Sequence, residues 1–145
     1  MAGGKASTFE NDLLKLIFNA TPIANIADNA ATSPLTNLYL SLHTADPGAG
    51  GNQTTNEATY ASYARVTAAR TTSGFTVTSN SCVLVSPATF PTPTGGSGEV
   101  ENFFAIGTAS SGTGKILYRG PITPSITIAV GTAPQLTTGT TITEN

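Results

Sequence analysis

The sequence predicts an all-β protein: an antiparallel β-sandwich or barrel with about eight strands and one short N-terminal helix. Three observations lead there. Apolar and polar residues alternate along short runs, as with Leu38, Leu40 and Leu42 against Tyr39, Ser41 and His43. Turn-forming Gly, Pro, Asn and Asp separate those runs about every 8–12 residues. Thr is the commonest residue, and its β-branched side chain suits extended, half-exposed backbone.

The elements follow in order. Residues 1–6, "MAGGKA", read as a flexible arm, and residues 7–145 as a single domain, since 145 residues fit one core. "STFE" places Ser7 as an N-cap with Glu10 three positions on, a capping box. Phe9, Leu13, Leu16 and Ile17 form one apolar helical stripe, while Leu14 and Phe18 lie off it. Pro22 ends the helix by disfavouring helical geometry at Thr21. "NLYLSLH" is a strand that ends in the Asp46-Pro47-Gly48 turn. A long polar loop covers residues 45–60, and "YASYARVTA" restarts a strand with Tyr63 and Arg65 on one face. Short strands follow around residues 75–78 and 82–85, then a Pro-rich break over residues 87–98. "EVENFFAIG" and "KILYRG" are strands joined by the loop "TASSGTG"; "SITIAV" and "TTITEN" supply the last two. Long connections favour Greek-key or jelly-roll routing over a meander.

Composition excludes several classes of function. Only 10% of the residues are charged, against about 25% in an average globular protein. A net charge of −2, with six basic residues scattered along the chain, argues against nucleic acid as a partner. Cys82 is the only cysteine, which rules out an intramolecular disulfide and a thiol-rich metal site. No run approaches the roughly 18 apolar residues of a membrane span. Glu10, Asp12 and Lys15 interrupt the N-terminus where a signal peptide would be apolar.

Candidate chemistry is sparse. His43 lies three residues before Asp46, but no activated nucleophile accompanies them, and a locally satisfied surface histidine is the expectation. "GGSGE" around Ser97 has Glu99 where a nucleophile elbow needs Gly. A calcium site through Asp46, Asn52 and Glu57 lacks dense acidic spacing. "GTASSGTGK" misplaces its Lys for a phosphate loop and leads into a strand, so it reads as a hairpin loop. Glu99 and Glu101 fall on one side of a strand, about 7 Å apart, and read as edge charges that discourage aggregation. Tyr39, Tyr60 and Tyr63 are a candidate stacking platform for sugars, though such tyrosines more often bridge core and rim with a wet hydroxyl. The expectation is a protein that is not an enzyme, with no cofactor, metal or small-molecule substrate.

"NLYLSLHTADPG" followed by "NEATYASYARV", and later "FFAIGTASSGTGKILYRGPI", resemble a family of small tailed-phage virion proteins often called tail-fibre proteins. They also resemble the jelly-roll cement, or decoration, proteins that coat some podophage capsids. The likeness runs from the helix to "TTITEN" and brings no catalytic residues with it. It implies a β-sandwich of jelly-roll type, a capsid cement protein that binds and stabilises the major capsid protein shell, as a homodimer or a trimer. Such a protein is made in the bacterial cytoplasm and sits on the outer capsid surface of the virion. A tail or tail-fibre component and a carbohydrate-binding module for host glycans are the alternatives. The arm and the loops 45–60 and 87–98 are expected to be flexible segments that reach neighbours. Leu14, Phe18, Tyr60 and Tyr63 are the residues expected at a protein interface.

Overall fold

A computed structural model of the chain describes residues 7–23 and 34–144. The arm expected over residues 1–6 and the Ser7 side chain of the expected capping box lie outside the described residues. Among the described residues the fold is all-β and antiparallel with a single short helix, in keeping with the sequence. The elements are α1 (Ser7–Asn19), β1 (Asn37–His43), β2 (Val66–Ala69), β3 (Phe75–Thr78), β4 (Ser81–Leu84), β5 (Ala88–Thr89), β6 (Val100–Gly107), β7 (Ile116–Thr127), β8 (Gln135–Leu136) and β9 (Thr141–Thr143). They divide between two compact units, each built from separated stretches of chain.

The first unit comprises Met1–Asn37, Ala69–Pro87 and Thr137–Asn145. Its sheet has the order β3-β4-β9, and Phe75, Cys82, Leu84 and Ile142 form its buried side. The β3–β4 hairpin turns tightly at Ser79, whose φ of 54° is left-handed. Helix α1 docks on β3 and β4 through Leu14 and Phe18, both fully buried. The Phe18 ring meets Phe75 at 4.8 Å in a tilted pair. The docked pair is thus the one off the predicted stripe, while Phe9 of that stripe remains 39% exposed. Arg70 fixes the helix end: Nε donates to Ile17 O at 2.6 Å and Nη2 to Leu16 O at 2.5 Å. A cation on those last carbonyls complements the helix dipole.

The second unit, Leu38–Ala68 and Ala88–Leu136, holds most of a four-stranded sheet of order β2-β1-β6-β7 and the small β5-β8 pair. In β1, Leu40 faces Ile106 of β6 and Leu42 faces Phe104. Both faces of β1 are buried from Leu40 onward, so the predicted alternation of buried and exposed positions fails here. Two predicted strands, "KILYRG" and "SITIAV", turn out to share one element. Strand β7 runs through Pro121 and Pro124 as a single edge, the place where Pro costs no ladder hydrogen bond. Its pairing with β6 shifts register between Glu101 and Phe103 and again between Ile106 and Gly107. The strand expected from Tyr60 begins only at Val66. Ser62, at a φ of 80°, breaks the extended backbone before it.

The helix orientation yields an expected order of stabilities. Phe18→Ala should cost about 3–5 kcal/mol, because the cavity opens against Phe75. Phe9→Ala should cost under about 1 kcal/mol. Urea denaturation of both variants checks this, and the reverse order would mean that α1 docks by its other face.

Candidate functional site

The second face of β1 is covered by the loop that follows it. Residues 45–60 fold back over Ser41 and His43, both of which have no exposed surface. The His43 Nδ1–H donates to Thr55 O at 2.9 Å, since a carbonyl only accepts. Nε2 is therefore the acceptor for the Ser41 hydroxyl, also at 2.9 Å. Burial lowers the His43 pKa below its usual value, against the opposing pull of the Thr55 carbonyl and the Glu57 charge. The surface histidine of the sequence reading is corrected: the residue is satisfied, but inside. A hydroxyl bonded to an imidazole has the form of a nucleophile and base. With both groups fully buried, no reactant reaches them, and the pair pins the loop to the strand.

The strongest polar feature is the ion pair of Glu57 and Arg65. Arg65 grips the carboxylate with two bonds, Nε to Oε1 at 2.6 Å and Nη2 to Oε2 at 2.8 Å. Its side chain is only 2% exposed. Tyr63 donates to the same Oε1 at 3.0 Å and accepts from the Leu42 N–H at 3.1 Å. Burial, and then the Glu57 charge, push the Tyr63 phenol well above its usual range, so it remains a donor. The remaining Arg65 donors reach Ala109 O at 2.9 Å and Gly112 O at 2.7 Å in the β6–β7 loop. One guanidinium thus joins three segments, and its planar fork is what permits it.

Gln53, also fully buried, completes the clamp. Its backbone N–H donates to Gly114 O at 2.9 Å. Its side chain donates to Tyr39 O at 3.4 Å and accepts from the Ala109 N–H at 3.0 Å. A Cβ on Gly107 or on Gly114 would collide with the Gln53 amide. Those glycines in "GTASSGTGK" make room for a side chain; the segment is the hairpin loop the sequence predicted.

Glu99 and Glu101 form a second polar centre. Glu99 accepts from Thr59 N at 2.8 Å, Thr59 Oγ1 at 2.6 Å and Tyr60 N at 3.1 Å. Burial acts to raise its pKa, but these bonds and one with Glu101 outweigh that and hold it below the usual value. Glu101 is fully buried, and among the described residues no donor reaches either of its oxygens. Burial, then the hydrogen-bonded Glu99 carboxylate, push it up to about 8. A carboxyl buried beside another carboxylate with no donor in reach favours its protonated form. The expectation of exposed edge charges is corrected for this residue, because the 57–65 segment packs over the start of β6.

The predicted interface residues lie within their own units. Leu14, Phe18 and Tyr60 are at most 2% exposed. Tyr63 lies between Tyr60, in an edge contact at 5.3 Å, and Phe90, stacked at 6.3 Å. Neither hydroxyl is wet, since Tyr60 donates to Pro91 O at 3.2 Å, and neither ring offers a free stacking face. Both long loops are fastened instead of free. The 87–98 segment buries Phe90 and bonds Ala61, Ile128 and Gly131 through its backbone. Asp46 and Glu57 do not converge, as Asp46 pairs with Arg119 at 2.7 Å. Among the described residues no three His, Cys, Asp or Glu side chains gather to hold a metal ion, and no helix is long and apolar enough to cross a membrane.

Fold and site define a β-rich structural module whose buried polar groups hold its own loops in place. The family model described as podophage GP4 fiber I protein gp80 matches residues 5–144, and the chain belongs to that family. It is a structural protein of the bacteriophage virion. No curated protein matches it.

Arg65→Ala strands the Glu57 carboxylate in a half-dry site and should cost about 3–5 kcal/mol in urea denaturation. Adding Glu57→Gln should recover part of that loss, because the stranded charge is gone. A single variant within about 1 kcal/mol of the parent would show that the pair holds nothing.

Proposed function

We propose that the chain is a fibre component of the phage particle, working mechanically as a rigid module joined to other copies of itself or to other virion proteins. The observation that carries this reading is the family match over residues 5–144, whose description is that of a fibre protein. Supporting it, buried polar groups such as Ser41, His43, Gln53, Arg65 and Glu101 pack inside the chain, where they serve its own loops. Fibres are commonly homo-oligomeric, and a trimer suits an elongated appendage, whereas a closed two-fold pair is the commonest alternative.

A second reading is a cement protein bound to the major capsid protein. The low charge favours it, since surface that becomes covered in an assembly is costly to bury when charged. In that case binding to the expanded shell would stabilise it by mass action. Of the three tyrosines of the glycan-binding reading, Tyr60 and Tyr63 have no free ring face, while Tyr39 is half-exposed on β1.

Copy number separates the two. Quantitative mass spectrometry of purified particles, with gold-labelled antibody to locate the chain, should find few copies per particle, at the fibres. A simple lattice ratio to the major capsid protein, with label spread over the shell, would overturn the fibre reading in favour of cement.

A further inference from the structure

The second unit buries the Glu101 carboxyl completely, two residues from Glu99, the carboxylate that binds Thr59 and Tyr60. Among the described residues Glu101 faces no donor. The titratable groups on the elements around it are otherwise engaged. His43 on β1 is bound to Ser41 and Thr55, Glu57 to Arg65 and Tyr63, and Arg119 on β7 to Asp46. Tyr118 and Ile116 lie at the far end of β7, opposite Ile106 and Gly107, with Lys115 just before them. Tyr60 donates to Pro91 O, and burial followed by the charges of Glu101 and Glu99 pushes its phenol up to about 12. The Glu99 carboxylate is the neighbour that acts on Glu101 after burial itself.

We propose that Glu99 and Glu101 are a proton-operated latch, which holds residues 59–60 on the start of β6 while Glu101 is protonated and releases them once it ionises. With the proton present, the Glu101 O–H donates to Glu99, and Glu99 keeps its bonds to Thr59 and Tyr60. When the proton leaves to solvent, two carboxylates face each other, one of them buried with no counter-charge. The backbone amides of Thr59 and Tyr60 are the grip that then loosens. A metal cation is a poorer occupant than a proton. Calcium needs about six to eight oxygens, while the Glu99 oxygens are already occupied by three donors from Thr59 and Tyr60.

The sign follows from linkage. A carboxyl whose pKa is raised on folding, here from 4.5 to about 8, gives stability that is fully present below the lower value. That stability is lost as pH rises to the upper one. Glu99, held low, acts oppositely and only in acid.

The test compares the full chain with Glu101→Gln, whose amide N–H replaces the carboxyl O–H. The ratio of folding constants, variant over parent, should rise by up to about tenfold per pH unit from pH 5 to 8, then level off. Residues such as His43 titrate in both proteins and cancel. A ratio independent of pH would overturn the latch. Carbon-detected magnetic resonance of the parent gives a second readout that needs no variant. The Glu101 carboxyl should titrate near neutrality or above, with the Thr59 and Tyr60 amides shifting in step; titration in the ordinary range near 4.3 would refute it. Calcium that restores protection of these amides at pH 9 in the parent, but not in Glu101→Gln, would replace the proton by a cation.

Discussion

The second unit depends on one buried ion pair. In a chain with 10% charged residues, Arg65 and Glu57 meet with the guanidinium almost wholly out of water. Removing a charge from water costs several kcal/mol, which only good geometry and further hydrogen bonds offset. The site supplies both: a two-bond grip, the Tyr63 hydroxyl, and the carbonyls of Ala109 and Gly112. Once the pair is formed, the position of the 45–60 loop is set. With it come the cover over His43, the seat of Gln53 and the need for glycine at positions 107 and 114.

A virion protein benefits from loops organised in this way. Irregular backbone tied to a sheet by buried side chains resists local opening, because breaking any of these hydrogen bonds leaves a desolvated group without its partner. The aromatic cluster of Tyr60, Tyr63 and Phe90 adds apolar cover around the same segment. Glu99 anchors it from the other side through Thr59 and Tyr60. Residues 57–65 are therefore held by two carboxylates: Glu57, paired with Arg65, and Glu99, which accepts from Thr59 and Tyr60.

Much of the fold was legible in sequence. The strand "NLYLSLH", the Pro and Gly punctuation and the single N-terminal helix all correspond to elements observed. What failed had a shared physical cause. Period-2 patterning assigns alternate residues to water only if nothing covers the outer face, and the 45–60 loop covers it, so Ser41 and His43 are buried. Helical periodicity likewise found an apolar stripe but not which side docks; Phe75 on a distant strand selects Leu14 and Phe18. The clamp itself was the least legible part, since Gln53, Glu57, Arg65, Gly107 and Gly114 meet only through tertiary folding. A usable signal was the rarity of charge: a lone Glu and a lone Arg separated by apolar and aromatic residues are candidates to pair. Glu101 left a signal too, in its place within the apolar run that becomes β6.

Amide hydrogen exchange across residues 45–60 and 107–115 in the intact chain tests the clamp most directly. Protection of Gln53, Thr55 and Ala109 comparable to that of the β1 and β6 strand amides is the predicted result. Exchange of these amides at the rate of free loops, while β1 and β6 stay protected, would contradict the account.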